Sequence, residues 1–449
     1  MESVTTFLAE SAAAYTFEEL PEHVGRVAQS CILDWLGVVI AAAEDPVVVA
    51  IRESLSSSDS GGSIIGTDLV AAPLDAARIN GVAGHVLDYD DVLSVFTGHP
   101  TAPVLPAALA IAESKGLSGK QLLAALVAGI ETEARVSQIV APSHYAMGFH
   151  ATASVGVFGS VAAVSNLLSL TVEQTTNAMG LASTSASGLK SGFGNWGKSL
   201  QVGHAASEGA LAAILASKHG KGPVDGIGCE KGFAQTHSRR QDFDSARQPL
   251  GEPWHTKDVL FKYHASCYGT HSSIETLLRL REGADLAAVA EIKLGICPQH
   301  VGMCTQVNVT TPLQAKFSLA FTAALAWLKG SAAVQDFAPE VISDRAIQEL
   351  AGKVVTVSDG NHGFEQTDVL VRLNDGTTLS GMADMSIAAT EYQADAQWQK
   401  LAVKFHSLVD PVLGAERASN IVDAVDNLSQ LDDVSQLMAL TRTTATMAV

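Results

Sequence analysis

Residues 84–101, GHVLDYDDVLSVFTGHPT, bring acidic side chains and imidazoles into one short segment. Asp88, Asp90 and Asp91 are followed by His99, which stands just before a Pro-Thr pair and a long apolar run. Such groups are seldom placed beside a protein core unless they pair with another group or act on a ligand. On a helix Asp88 and Asp91 would share a face and could hold Mg²⁺, but the sequence lacks a second acidic cluster of suitable spacing. We expect Asp88 to orient a basic catalytic group.

Three polar residues, His99 among them, stand at or near predicted helix starts, where unpaired N–H groups favour anions. His99 and His150 each precede a helix rich in small residues, so each imidazole could contact a carboxylate or serve as a structural cap. Lys198 follows the Gly-rich loop GLKSGFGNWG, which has no P-loop spacing. This lysine could offer a positive charge to a ligand, or it could be a solvated loop residue. Tyr145 is a packing residue, or a base if a neighbouring cation lowers its pKa.

The segment KYHASCYGTH contains Lys262, His264, Cys267 and His271. Cys267 could be a nucleophile or an iron–sulfur ligand, but no spacing to the other cysteines fits a cluster, so we expect a buried core thiol. HExxH, GxSxG and GxGxxG motifs do not occur in a usable context. Zinc proteases, serine hydrolases and dinucleotide enzymes are therefore disfavoured.

The overall composition limits the classes of protein that remain. The chain of 449 residues has a formal net charge of −19 and a pI near 5.1, which argues against a nucleic-acid or anionic-lipid partner. The acidic N-terminus does not resemble a signal peptide, and five scattered cysteines without a CxxC suit a reducing compartment. We expect a cytoplasmic protein. Residues 151–170 carry no charge, but their Ser and Asn residues and the lack of a basic flank predict a buried helix rather than a membrane span.

The elements that must position these groups are mainly helical. Apolar residues recur at helical spacing in residues 20–43, 119–140 and 199–220, and Thr171 begins a capping-box pattern. After a linker near residue 250, β-branched alternation and an Asn-Asp-Gly-Thr turn predict strands and a hairpin, interspersed with helices. We predict a mainly α fold: a large all-helical domain built from both chain ends, residues 1–254 and 395–449, with an inserted α+β lid domain of residues 255–394.

Five segments in this order resemble the MmgE/PrpD family over nearly the whole chain: LDWLGVVIAA, GHVLDYDD with GHPTAPVLPAALA, GFHATASVGVFGSVAAVSNLL, KSLQVGHAASEGALAA and KYHASCYGTH. The resemblance implies a helical domain with an α+β lid, a homodimer, no metal and no cofactor. It implies a small polycarboxylate substrate. Known members are 2-methylcitrate dehydratases, cis-aconitate decarboxylases and iminodisuccinate epimerases.

The resemblance also assigns roles to residues, all of them expectations at this point. It implies site roles for Asp88, His99, His150, Lys198, Lys262 and His271, of which we take Asp88, Lys262 and His271 as substrate-binding. The compact length and Tyr145 before the Gly-Phe-His triplet are most similar to the epimerases. We therefore expect an isomerase that abstracts an α-proton with two bases, Tyr145 on one face and His99 or Lys198 on the other. A lyase reaction and noncatalytic binding of a polycarboxylate are the alternatives.

Overall fold

The computed structural model describes residues 3–55, 57–358 and 360–443. The helices in this part of the chain are α1 Val4–Ala14, α2 Glu22–Ala41, α3 Pro46–Ser54, α4 Pro73–Val86, α5 Thr101–Lys115, α6 Gly119–Val140, α7 Ser143–Ala146, α8 Ala151–Ser154, α9 Gly156–Leu167, α10 Val172–Ser183, α11 Gly197–Ser217, α12 Phe233–His237, α13 His271–Leu280, α14 Pro312–Lys316, α15 Leu319–Lys329, α16 Pro339–Ile342, α17 Arg345–Ala351, α18 Ala394–Leu413, α19 Ala415–Asp426 and α20 Ser435–Leu440. The strands are β1 Ser57–Ser63, β2 Val70–Ala71, β3 Val289–Ile296, β4 Val354–Ser358, β5 Gln366–Leu373 and β6 Thr378–Asp384. The prediction of a mainly helical protein is confirmed.

The chain forms two compact units, the first ending at Phe261 and resuming at Ala389, the second spanning Lys262–Ala388. In the first unit α9 packs against α5, α6 and α11. Its side chains are almost all buried, as predicted for the uncharged segment, although the helix is interrupted after Ser154. The capping box at Thr171 is also confirmed, because the Thr171 hydroxyl accepts from the Gln174 N–H and the Gln174 side chain accepts in return.

Helices α4 and α11 approach each other closely in the first unit because two glycines meet at their crossing. A Cβ atom on Gly81 would lie 2.9 Å from the Cα of Gly203, so a larger side chain would force the helices apart. The approach matters for chemistry because His85 lies one turn beyond Gly81 and Lys198 lies near the start of α11.

The first unit is not all-helical, which corrects the sequence prediction. Strands β1 and β2 pair antiparallel, although the Ser- and Gly-rich sequence of β1 has none of the β-branched alternation that marks a strand. Side chains from two helices stabilise the end of β1. The Glu113 carboxylate accepts from the Ser63 N–H at 2.7 Å, and the Asn80 amide donates to the Ser63 carbonyl at 2.9 Å.

The second unit contains a four-stranded sheet in the order β4-β3-β5-β6. Strand β4 is parallel to β3, while β5 is antiparallel to both β3 and β6. The predicted hairpin is confirmed, since β5 ends at Leu373 and β6 begins at Thr378. Val369, Val371 and Leu373 of β5 are buried, and α13 packs against β5 and β6.

One helix among the described residues, α2, is long and apolar enough to cross a membrane by length and composition. However, 78% of its apolar window is buried inside the protein. Its side chains therefore serve as core, which is how an apolar helix is used in a large helical domain.

Candidate active site

The acidic segment follows the end of α4 and forms an irregular loop, not a helix. Helix α4 ends at Val86, and Asp88 has a φ of 53°, a left-handed conformation that Asp tolerates better than most residues. Val92 forms an antiparallel bridge to Leu260, and the Leu93 N–H donates to the Gly98 carbonyl. The expectation that Asp88 and Asp91 could share a helix face is therefore wrong, and the reason is this reversal of the backbone.

The loop places one carboxylate oxygen between two imidazoles. His85 Nδ1 donates to Asp90 Oδ2 at 2.7 Å, and His99 Nδ1 lies 3.3 Å from the same oxygen. The two rings meet edge to face, with centroids 4.7 Å apart. His85 and Asp90 side chains are fully buried, whereas the His99 side chain is 13% exposed. A carboxylate in this position fixes the tautomer of His85 and can stabilise a positive charge on His99.

An ion pair lies beside this group of three residues. Lys198 Nζ contacts Asp88 Oδ1 at 2.6 Å, and His99 Nε2 lies 3.9 Å from the same oxygen. Lys198 and Asp88 side chains are 12% and 7% exposed. The structure thus brings together Asp88, His99 and Lys198, three of the site residues named from the sequence, and the Asp88 carboxylate contacts the lysine and faces the histidine.

His150 lies on the other side of His85, with stacked rings whose centroids are 5.5 Å apart. The Gln201 side-chain oxygen accepts from the Leu189 N–H at 2.8 Å, so His150 Nδ1, 3.3 Å away, must be the donor to that oxygen. His150 Nε2 then carries the lone pair. Burial, followed by electrostatic contributions from the neighbouring His85 and Lys198, holds the pKa of His150 well below 6.5, so this imidazole is neutral at pH 7.

The turn that carries His99 is fixed by contacts to two helices. The His99 N–H donates to the Thr152 hydroxyl of α8 at 3.2 Å. The Asp91 carboxylate accepts from the Thr101 hydroxyl at 2.5 Å and from the Thr101 N–H at 3.3 Å, at the N-terminus of α5. Burial raises the pKa of Asp91 to about 7. Asp91 therefore serves as a buried cap for α5 and not as a metal ligand pair with Asp88.

A lysine from the far end of the chain supports the same loop. Lys404 of α18 donates to the Tyr89 carbonyl at 2.7 Å and to Asp34 Oδ1 of α2 at 2.6 Å. Both charged side chains are almost completely buried, at 4% and 1% exposed. Because Tyr89 lies between Asp88 and Asp90, this contact helps to fix both carboxylates.

The remaining predicted site residues are Tyr145, Lys262 and His271. Tyr145 is half-buried on α7, where Lys190 Nζ lies 3.8 Å from the centre of its ring. Lys262 and His271 belong to the second unit and are buried, and His271 Nε2 lies 3.3 Å from the Ser266 carbonyl oxygen. Their roles remain those implied by resemblance.

Sequence reasoning missed four contributors: His85, Asp90 as a bridging carboxylate, Gln201 and Lys404. His85 and Asp90 stood in the segment that drew attention first, and their joint role depends on the reversal at Asp88. Gln201 lies one helical turn after Lys198, a spacing that places both on one face of α11. No feature of the nearby sequence predicts the role of Lys404, because this residue contacts the loop from a helix more than 300 positions later in the chain.

Within the described residues, His85, Asp90 and His99 place possible metal-ligand atoms within 4.8 Å of one another. Two imidazoles and a carboxylate are a donor set that Zn²⁺ and other transition metals accept. The same atoms also form a consistent hydrogen-bonded arrangement, since His85 Nδ1 donates to Asp90. The geometry therefore suits acid–base chemistry without any further group.

A buried His–Asp–His group next to a lysine–carboxylate ion pair offers groups that can donate and accept protons. Comparison with known proteins identifies the family. The family model for the MmgE/PrpD N-terminal domain matches residues 6–246, and that for the MmgE/PrpD C-terminal domain matches residues 264–430. The chain belongs to the MmgE/PrpD family of enzymes.

Curated relatives match over nearly the full length of both chains. The cis-aconitate decarboxylase-like protein oryM of Aspergillus oryzae is 26% identical over 98% of this chain and 97% of the relative. The cis-aconitate decarboxylase of Homo sapiens is 26% identical over 98% of this chain and 95% of the relative. That of Aspergillus terreus is 24% identical over 97% of this chain and 95% of the relative. Two of these relatives are named cis-aconitate decarboxylases and the third is named decarboxylase-like, and none of the three is named as an epimerase.

Proposed function

We propose that the protein is a lyase that decarboxylates a small tricarboxylate of the cis-aconitate type without a cofactor. The observation that carries the proposal is the Asp90 oxygen placed between His85 and His99, next to the Lys198–Asp88 ion pair. The full-length similarity to cis-aconitate decarboxylases supports the reaction class.

The reaction needs a place for an electron pair and a source of one proton. As the bond to the leaving carboxylate breaks, CO₂ departs and the electron pair delocalises through the adjacent double bond into a neighbouring carboxylate. A proton must then be delivered to carbon to give the product alkene. Cations and N–H donors aimed at the developing charge supply the largest catalytic contribution, about 3 kcal/mol per donor in well-studied sites.

His99 is our candidate for the proton donor. Its side chain is the most exposed of the His85, Asp90 and His99 group, and the Asp90 carboxylate stabilises its cationic form. Lys198 is positioned to bind a substrate carboxylate by exchanging part of its contact with Asp88. The neutral His150 has its lone pair on Nε2, which suits acceptance of a hydrogen bond or a proton and not donation at that atom. Lys262 and His271 keep their proposed role in substrate binding.

The epimerase reaction expected from sequence requires a second base on the opposite face of the substrate carbon. Tyr145 was assigned that role, and Lys190 Nζ lies 3.8 Å from the centre of its ring. The comparisons lend epimerisation no support. We therefore place decarboxylation first and treat epimerisation as an outcome that the test can detect.

Proton NMR in D₂O distinguishes these reactions. The purified enzyme is incubated separately with cis-aconitate, 2-methylcitrate and iminodisuccinate. We expect itaconate with one deuterium from cis-aconitate. This product should be lost in His99→Gln but not in the control His406→Gln, which changes a partly exposed histidine paired with Asp410. Interconversion of iminodisuccinate diastereomers with α-deuterium incorporation would establish the epimerase instead. Calorimetric binding without turnover of any acid would favour a noncatalytic protein.

A further inference from the structure

Two cysteines in the second unit lie in direct contact. Cys267 Sγ and Cys304 Sγ are 3.3 Å apart, and the residues are 37 positions apart in the sequence. Cys304 is fully buried, while Cys267 is 7% exposed. Sequence reasoning treated Cys267 as an isolated core thiol, because the spacing gave no sign that Cys304 would be its neighbour.

The backbones of both cysteines are attached to the same short segment. The Cys267 N–H donates to the Lys316 carbonyl at 2.9 Å, and the Cys304 carbonyl accepts from the Leu319 N–H at 2.7 Å. The Cys304 N–H also donates to the His300 carbonyl at 2.8 Å. This framework holds the two side chains facing each other. A disulfide bond is about 2.05 Å long, so the sulfur atoms need to approach by about 1.3 Å to form one.

We propose that Cys267 and Cys304 are a modification site, at which a low-molecular-weight disulfide such as oxidised glutathione forms a reversible intramolecular disulfide. The Cys267 thiol, the more exposed of the two, loses its proton and attacks one sulfur of glutathione disulfide, releasing one glutathione thiolate. The Cys304 thiolate then attacks the Cys267 sulfur of the mixed disulfide and releases the second glutathione thiolate. The two protons lost by the protein thiols are taken up by the two leaving thiolates, so that one disulfide is reduced as one is formed.

The bond would form in the turn that leads into α13. The Thr270 hydroxyl donates to the Cys267 carbonyl at 2.8 Å and contacts the Ser266 hydroxyl at 2.8 Å. His271, the first residue of α13, contacts the Ser266 carbonyl. Oxidation therefore constrains the segment that holds His271, one of the residues to which resemblance assigns substrate binding. The thiol chemistry itself does not depend on the proposed reaction.

Thiol mapping by mass spectrometry tests the proposal without an activity assay. The full chain carrying Cys229→Ser, which removes an exposed thiol, is incubated with oxidised glutathione, alkylated and digested without reduction. We expect a crosslinked peptide pair containing Cys267 and Cys304, loss of two alkylatable thiols per chain, and recovery of both after dithiothreitol. Cys297→Ser removes another buried thiol of the second unit and should leave the crosslink unchanged.

A second variant identifies the intermediate. In Cys304→Ser, Cys267 should retain glutathione as a mixed disulfide, because the resolving thiol is missing. The proposal is overturned if the parent chain keeps both thiols alkylatable after oxidation, or if it accumulates glutathione on Cys267 without forming the crosslink. The mapping in the parent chain decides the question even if Cys304→Ser does not fold.

Discussion

Replacement of Asp90 by Asn tests the His–Asp–His arrangement most directly. Asn has nearly the shape of Asp, so packing around this fully buried side chain is preserved while the negative charge is removed. The substitution replaces the charged acceptor of the His85 hydrogen bond and removes the anion that lies 3.3 Å from His99 Nδ1. If His99 delivers the proton, its cationic form loses its main stabilising partner.

The magnitude follows from the distance. Unit charges 3.3 Å apart interact by roughly 5 kcal/mol at an effective dielectric constant of about 20. Partial access of solvent to His99 reduces this, and half of it, about 2.5 kcal/mol, corresponds to a fall in kcat of about 30- to 100-fold. KM should change by less than about threefold, because Lys198 is unaffected and supplies substrate binding.

Steady-state kinetics on the substrate identified by NMR measures the effect, with Asp258→Asn as a matched control outside the site. A second measurement needs no substrate. The Nδ1 proton of His85, held in a 2.7 Å hydrogen bond, should give a downfield resonance in the parent protein that moves upfield in Asp90→Asn. A folded variant whose kcat stays within threefold of the parent would refute the role assigned to Asp90.

Three further predictions concern buried charges and their pH dependence. Lys404→Met removes the cationic partner of the buried Asp34 carboxylate and should lower the free energy of unfolding by about 3–5 kcal/mol. Asp426→Asn, at an exposed ion pair, should lower it by less than about 1 kcal/mol. Urea unfolding measures both. Burial lowers the pKa of His144 to about 4. Below about pH 6.5 the unfolded chain takes up a proton at this residue and the native protein does not, so about 2 kcal/mol of stability should be lost by pH 5. His144→Asn should reduce this dependence of the free energy of unfolding on pH. Burial raises the pKa of Glu133 well above 4.5, and neither carboxyl oxygen has a hydrogen-bond partner. The free energy of unfolding should therefore fall as pH rises above about 4.5, because the unfolded chain loses this proton first. Glu133→Gln should raise the melting temperature more at pH 8 than at pH 5, and an equal rise at both values would contradict this account.

Local sequence patterns predicted the regular elements well. The apolar spacing of residues 119–140 coincides with α6, and the capping box at Thr171 forms as predicted. The β-branched runs and the Asn-Asp-Gly-Thr turn locate β5 and β6. These features depend on residues a few positions apart, whose spacing alone decides which side chains share a face.

Prediction failed where distant contacts overrode local preference. Strand β1 has a poor strand sequence and exists because Asn80 and Glu113 bind its backbone. The helix face that Asp88 and Asp91 could have shared does not form, because α4 ends at Val86 and the backbone reverses at Asp88.

The sequence by itself determined the helical character, the strands of the second unit and the family, because helix and strand periodicity and ordered motifs are properties of the linear chain. It also singled out Asp88, His99, His150 and Lys198. Only the tertiary structure decided that Asp90 would lie between His85 and His99, that Lys404 would hold the loop through Tyr89, and that Cys267 would face Cys304. Those contacts are set by helix crossings and backbone reversals, which the packing of the whole core fixes and no local pattern encodes.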